Sequence, residues 1–233
     1  MCGPAQHLWG ENSYNLPLQP PQQNLKNAII GGGQIFSQLG SLLWSIYDKS
    51  PKAKIVVWGV GVPLKGKREE FVSDISQRVA LFGTRNYDRR DQFAFVPCAS
   101  CLSPLFDQVE EPKHEVVFFF HRKKGAHISV PPGAPVMTNA MCAPKKAINF
   151  IASGETIVTS SYHGVYWAQL LGRRVICLPF SEKFETFQHR PWIADPESWQ
   201  DGLKMAHRSP PLLEEYREIN FAFAQQALDI WHG

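Results

Sequence analysis

Cationic and small polar side chains recur in this chain directly after short apolar runs. Where strands and helices alternate, such positions fall at the carboxyl ends of parallel strands, and open α/β sheets bind ligands there. The clearest case follows Thr156-Ile157-Val158. The chain turns through Thr159-Ser160-Ser161-Tyr162-His163-Gly164, continues as Tyr166-Trp167-Ala168-Gln169-Leu170-Leu171-Gly172, and resumes apolar character at Val175-Ile176-Cys177-Leu178. This pattern predicts a buried strand, a tight turn, an amphipathic helix closed by Gly172, and a second strand. His163 would then stand at a helix N-terminus, which favours anions. Its charge can change near neutral pH, so it suits proton transfer or donation to a phosphate. A histidine that only caps the turn is the alternative reading of the same position.

Three further groups share the setting. Arg85 follows the predicted strand Val79–Phe82 and is a candidate anion clamp; the competing reading is a loop arginine paired with Asp88. Lys183 follows Pro179-Phe180-Ser181 and could neutralise a phosphate, or be a solvated lysine beside Glu182 and Glu185. His121-Arg122-Lys123-Lys124 follows Val116–Phe120; its default reading is a solvated face, with contact to an anionic acceptor kept open. Gly31-Gly32-Gly33 ends the strand Ala28-Ile29-Ile30 and permits close approach of a backbone or ligand at Gly32 and Gly33. It lacks the Gly-x-Gly-x-x-Gly spacing of a dinucleotide site. Cys98-Ala99-Ser100-Cys101 has the spacing of half a zinc or redox site without a second pair, so a turn with small buried thiols is expected and no metal.

Composition bounds the class. The 233 residues are 44% hydrophobic and 19% charged, with a net charge of +3. That describes a folded globular chain and gives no argument for nucleic acid. No apolar run approaches the ~20 residues of a membrane span, although peripheral membrane contact stays open. The N-terminus reads as neither a basic nor an apolar leader. Five cysteines without a framework fit reduced thiols, hence an expected cytoplasmic location.

The positioning elements follow from periodicity. Residues 1–27 are rich in Gln, Asn and Pro and form no regular element over that length, although Leu8-Trp9-Gly10 is apolar enough to pack. Ile35 to Tyr47 carries apolar residues at helical spacing, Ile55–Trp58 is a fully apolar strand, and residues 69–77 form a polar helix. The polar stretch 107–113 marks a boundary. Val116–Phe120 and Val136–Asn139 are strands, Ala147–Ala152 a helix, and Trp199–Ala206 and Leu212–Trp231 the closing helices. The expected division is 1–107, 108–208 and a C-terminal helix, 209–233, that crosses back to the first domain. The fold class is α/β, with two Rossmann-like domains facing a cleft.

The Thr159-Ser160-Ser161-Tyr162-His163-Gly164 turn resembles the Thr-Ser-Arg-x-His-Gly turn of the polysaccharide pyruvyl transferase family. Ile29-Ile30-Gly31-Gly32-Gly33, Val57-Trp58-Gly59-Val60-Gly61, Gly83-Thr84-Arg85-Asn86-Tyr87-Asp88 and Ser181-Glu182-Lys183-Phe184 resemble other blocks of that family in the same order. Together they cover roughly residues 28 to 230 by the spacing of strands and helices. The resemblance implies a fold like that of B-type glycosyltransferases. It also implies transfer of the enolpyruvyl group of phosphoenolpyruvate to two sugar hydroxyls, giving a ketal and phosphate, with no cofactor beyond that donor. The acceptor would be a surface glycan or a lipid- or nucleotide-linked precursor. His163 would be the catalytic acid; Arg85, Lys183, Ser161 and Gly164 would bind the donor; and His121, Arg122, Gly32 and Gly33 would be acceptor or phosphate contacts. The departure is Ser161, where the family has arginine. A serine cannot pair bidentately with an anion, so Arg122, Arg173 or Arg190 would replace it, or the donor differs, or activity is lost. The alternatives are therefore a nucleotide-sugar glycosyltransferase and a catalytically degenerate glycan binder.

Overall fold

A computed structural model describes residues 24–33, 35–63, 68–124, 128–140 and 143–233. The expectation that Leu8-Trp9-Gly10 packs lies outside the described residues. The chain divides into two compact units, one running to Ser103 and including Tyr216–Gly233, the other Pro104–Glu215. Each is an α/β layer built on a wholly parallel sheet.

In the first unit, strands β1 (Asn27–Gly31), β2 (Lys54–Val60), β3 (Leu81–Thr84) and β4 (Ala94–Phe95) lie in the order β1-β2-β3-β4. Helices α1 (Phe36–Lys49) and α2 (Arg68–Arg78) connect the first three. The two-residue period of β2, with both faces covered, explains why it carries no polar side chain after Lys54. Ile55 and Val57 pack with Leu39, Leu43, Ile46, Val72 and Ile75, while Val56 and Trp58 face Phe223, Ala224 and Ala227. Those last three belong to the C-terminal helix, Leu213–His232. Asn220 anchors it: its Oδ1 accepts from Trp58 Nε1 at 2.8 Å, and its Nδ2 donates to Pro97 O at 3.3 Å. A side chain at Gly83 would stand 2.8 Å from the Phe223 ring, so glycine there lets the helix reach the sheet.

In the second unit, β5 (His114–Phe120), β6 (Val136–Thr138), β7 (Gly154–Thr159), β8 (Arg174–Cys177) and β9 (Trp192–Ile193) are ordered β6-β5-β7-β8-β9. Helix α3 (Pro144–Ala152) leads into β7 and α4 (Tyr162–Leu170) leads out of it. Phe118, Phe120, Val158 and Ile176 cover one face with Trp199. A short helix α5 (Gly202–Met205) follows, and the C-terminal helix is α6.

Several boundaries differ from expectation. The third strand pairs at Leu81–Thr84 and not from Val79, which packs on the core from the preceding turn. Trp199–Asp201 is a 3-10 turn, and only Gly202–Met205 is α-helical. No helix among the described residues is long and apolar enough to cross a membrane.

Candidate functional site

The carboxyl end of the second sheet is built around Thr159, the last residue of β7. Its buried hydroxyl donates to Phe119 O at 2.5 Å and accepts from Ser161 N at 3.0 Å. The strand is thereby tied to its neighbour β5, and the turn is started in one step. The next hydroxyl, Ser160 Oγ, accepts from His121 N at 3.1 Å. Helix α4 then begins, with Val165 N donating to Ser161 O at 3.0 Å. A Cβ on Gly164 would lie 2.1 Å from Thr159 Oγ1 and 2.9 Å from Phe119 Cδ1. Glycine at this position serves the packing of the helix start on the strand end, whatever else its N–H does.

His163 occupies the first turn of α4, half-buried, with its ring 5.0 Å from that of Trp167 and 5.9 Å from that of Tyr162. Ser161 is only 1% exposed, and Tyr162 behind it stacks on Phe187 at 4.5 Å. An arginine at position 161 would have to displace its neighbours.

His121 and Lys183, distant in sequence, meet on one aromatic ring. His121 packs edge-on against Phe180 at 5.3 Å, and Lys183 Nζ lies 4.1 Å from the centre of the same ring. His121 Nδ1 accepts from the backbone N–H of Lys123 and of Lys124, both at 3.2 Å. The neutral ring therefore carries its proton on Nε2. Burial, then Lys183, Lys124 and Lys123, push the His121 pKa below its ordinary value of 6.5. The result is a cationic strand end with a neutral imidazole donor in it. Arg122 is exposed beside it, its backbone N–H donating to Asn139 Oδ1 at 2.8 Å.

The other two arginines considered as replacements for position 161 are elsewhere. Arg173 and Arg190 precede β8 and β9, at the amino ends of those strands. Arg173 spends its Nη2 on Ala152 O, at 3.1 Å, and Glu110 O, at 3.4 Å. Of the three, Arg122 alone shares the strand end with His121.

In the first unit, Thr84 repeats the device. Its hydroxyl donates to Val60 O at 2.8 Å and accepts from Asn86 N at 3.2 Å. Asn86 then clamps the loop after β2, accepting from Val62 N at 3.1 Å and donating to Val62 O at 2.9 Å. Arg85 is buried, and its guanidinium would touch a Cβ on Gly61 at 3.0 Å. Asp88, the partner considered for Arg85, lies instead 3.9 Å from Arg89. A cavity of about 510 Å3 beside this loop is lined by Arg89, Gln92, Ser73 and Ser76. Gly32 and Gly33 have φ of +97° and +57°, with open space where side chains would be.

Thr84, Asn86, Thr159 and Ser160 stand within the turns read from the sequence but were given no role of their own there, although the small polar residue that closes an apolar run was their visible signal. Cys101 is buried, with its thiol 3.6 Å from Tyr216 O, and Cys98 touches Ser100 at 3.4 Å. Among the described residues no group of three or more His, Cys, Asp and Glu could hold a metal.

No protein-family model matches the chain, and no curated protein matches it. Among solved structures, an uncharacterized protein of Klebsiella pneumoniae subsp. pneumoniae is similar over 76% of this chain and 78% of its own, with 14% identity and a TM-score of 0.46.

Proposed function

We propose that this chain is a pyruvyl transferase built on two Rossmann-like units, taking phosphoenolpyruvate as donor and a glycan or linked sugar as acceptor. The observation that carries the reading is the convergence of His121 and Lys183 on Phe180 at the carboxyl end of β5 and β8. A donor with a carboxylate and a phosphate needs cations and N–H donors at fixed positions, and this strand end supplies both. The start of helix α4 after Ser161 adds the positive end of its dipole.

In this reading Lys183 neutralises the phosphate, the Nε2–H of His121 donates to it, and Arg122 is at hand for the carboxylate. His163 delivers a proton to the methylene carbon of the enol. One sugar hydroxyl adds to the adjoining carbon and loses its proton to a base. The second hydroxyl displaces phosphate, which takes up that hydroxyl's proton as it leaves, closing the ketal. Protonation and hydroxyl activation each need a positioned acid or base. Arg85, in the first unit, is held against the Gly61 backbone and contributes a fixed cation there.

Thermal-shift titration with phosphoenolpyruvate, uridine diphosphate and inorganic phosphate tests the reading, because a ligand of the folded state raises the melting temperature. Stabilisation by phosphoenolpyruvate, followed by phosphate release on adding a sugar diol, is the expected result. Stabilisation by uridine diphosphate without any response to phosphoenolpyruvate would replace it with a glycosyltransferase. A response to glycan alone would make the chain a degenerate binder.

A further inference from the structure

The opposite end of the second sheet holds a separate polar cavity of about 200 Å3 at the amino ends of β8 and β9. Gln169, Arg173, Gln188, His189, Arg190 and His207 are among its lining residues. Three of their buried polar atoms have no hydrogen-bond partner: Gln169 Oε1, Arg173 Nε and Gln188 Oε1. Buried polar atoms are nearly always satisfied, so three around one small cavity call for an occupant. The orientation of Gln169 is fixed, since its Nε2 donates to His189 O at 2.6 Å and an exchange of the amide atoms would set two oxygens together. Gln188 is held likewise, its Nε2 donating to Glu215 Oε1 at 3.0 Å. Gln169 is 3% and Arg173 8% exposed, so bulk water does not serve these atoms.

The unmet demands define the ligand. Arg173 Nε–H needs an acceptor, and no ion pair among the described residues holds this guanidinium. Arg190 and two histidines add positive or proton-donating groups around it. The two glutamine oxygens need donors, which a carboxylate or sulfate lacks and a hydroxyl supplies. We propose that this cavity is a binding site for a small hydroxylated anion, a three-carbon phosphate ester or hydroxy acid in size. A nucleotide sugar exceeds its volume. The site is independent of the strand-end chemistry proposed above and lies at the other end of the same strands.

Calorimetric titration of the full chain with glycerol 3-phosphate, glycerate, glycerol and sulfate tests this. Either hydroxylated anion is expected to bind more tightly than sulfate, and glycerol not at all. Preference between the two anions tells phosphate ester from hydroxy acid. Arg190→Ala changes an exposed residue and should fold; it is expected to weaken binding by about tenfold, as loss of one charge-assisted contact does. Gln188→Met should erase the preference over sulfate. Lys183→Ala, at the other end of the sheet, should leave the binding unchanged. The proposal is overturned if neither anion binds, since the cavity then holds only water, or if Lys183→Ala abolishes binding and Arg190→Ala does not.

Discussion

The two sheets end their central strands with the same device and put it to different use. Thr84 and Thr159 each donate to the carbonyl of the neighbouring strand and accept from the N–H two residues on. After Thr84, the side chain of Asn86 is consumed in holding Val62, and Arg85 is buried against Gly61. After Thr159, the polar side chain at 161 is small, a helix begins at once, and His121, His163 and Lys183 stay half-buried. One strand end has turned its polar groups inward to fix a loop. The other has fixed its backbone with hydroxyls and kept its titratable groups accessible. Chemistry that needs changing protonation is better placed at the second.

The largest test of that contrast is His163→Ala. If the second strand end carries the reaction, turnover falls by ~10²–10⁴-fold, the usual contribution of a general acid or base, with the melting temperature little changed. Steady-state phosphate release at saturating donor measures it. Turnover within about threefold of wild type with a lowered melting temperature would make His163 a cap, whose loss typically costs ~1 kcal/mol.

Gly164→Ala comes next, set against Gly32→Ala. The added methyl at 164 meets Thr159 Oγ1 at 2.1 Å, whereas at 32 it meets open space and only a φ of +97° opposes it. Overpacking of this kind costs about 3 kcal/mol, and an unfavourable positive φ about 1 kcal/mol. Urea unfolding of both variants should rank them in that order. Equal losses would mean that helix α4 shifts freely on its strand.

Replacing each threonine by valine tests whether the two devices are equivalent. Thr159→Val strands the Phe119 carbonyl and the Ser161 N–H, whereas Thr84→Val strands the Asn86 N–H but leaves the Val60 carbonyl accepting from Arg85 N at 3.2 Å. Buried groups left without partners cost about 1–3 kcal/mol. The larger loss is expected for Thr159→Val, and only that variant should also lower turnover, because only that turn leads into His163.

Much of this frame was legible beforehand. Strands such as β2, β5 and β7 declare themselves as apolar runs because both of their faces are covered, and α4 because Gly172 closes it. The two-residue strands β4 and β9 did not, since Ala94-Phe95 and Trp192-Ile193 are too short to show a period. The candidates His163, Lys183 and His121 were visible as polar residues after apolar runs, a pattern that marks strand ends. That His121 and Lys183 share Phe180 was not visible, because 62 residues separate them and only the β5-β7-β8 pairing brings them together. The cavity at the amino ends was hidden for a related reason. Gln169, Arg173 and Gln188 are ordinary residues in sequence, and only burial without partners sets them apart.

The smallest expected effect is the pH dependence that His121 lends to the second strand end. Its pKa is lowered from 6.5 in the fold, first by burial and then by Lys183, Lys124 and Lys123. Below 6.5 the unfolded chain takes up a proton that the folded ring resists, so stability falls as pH drops from there toward the lowered value. Above 6.5 the ring is neutral in both states and contributes no slope. His121→Asn keeps an acceptor for the N–H groups of Lys123 and Lys124 but cannot titrate. Its urea midpoint should therefore change less than that of the wild type between about pH 7.5 and about pH 5.5. Lys183→Ala should raise the His121 pKa toward its ordinary value, read from the imidazole Cε1 proton by NMR. Phosphoenolpyruvate should raise it further in the wild type, because an anion at this strand end favours the charged ring. A His121 resonance that ignores both Lys183→Ala and phosphoenolpyruvate would separate the two groups and overturn the anion site proposed at the carboxyl end of β5 and β8.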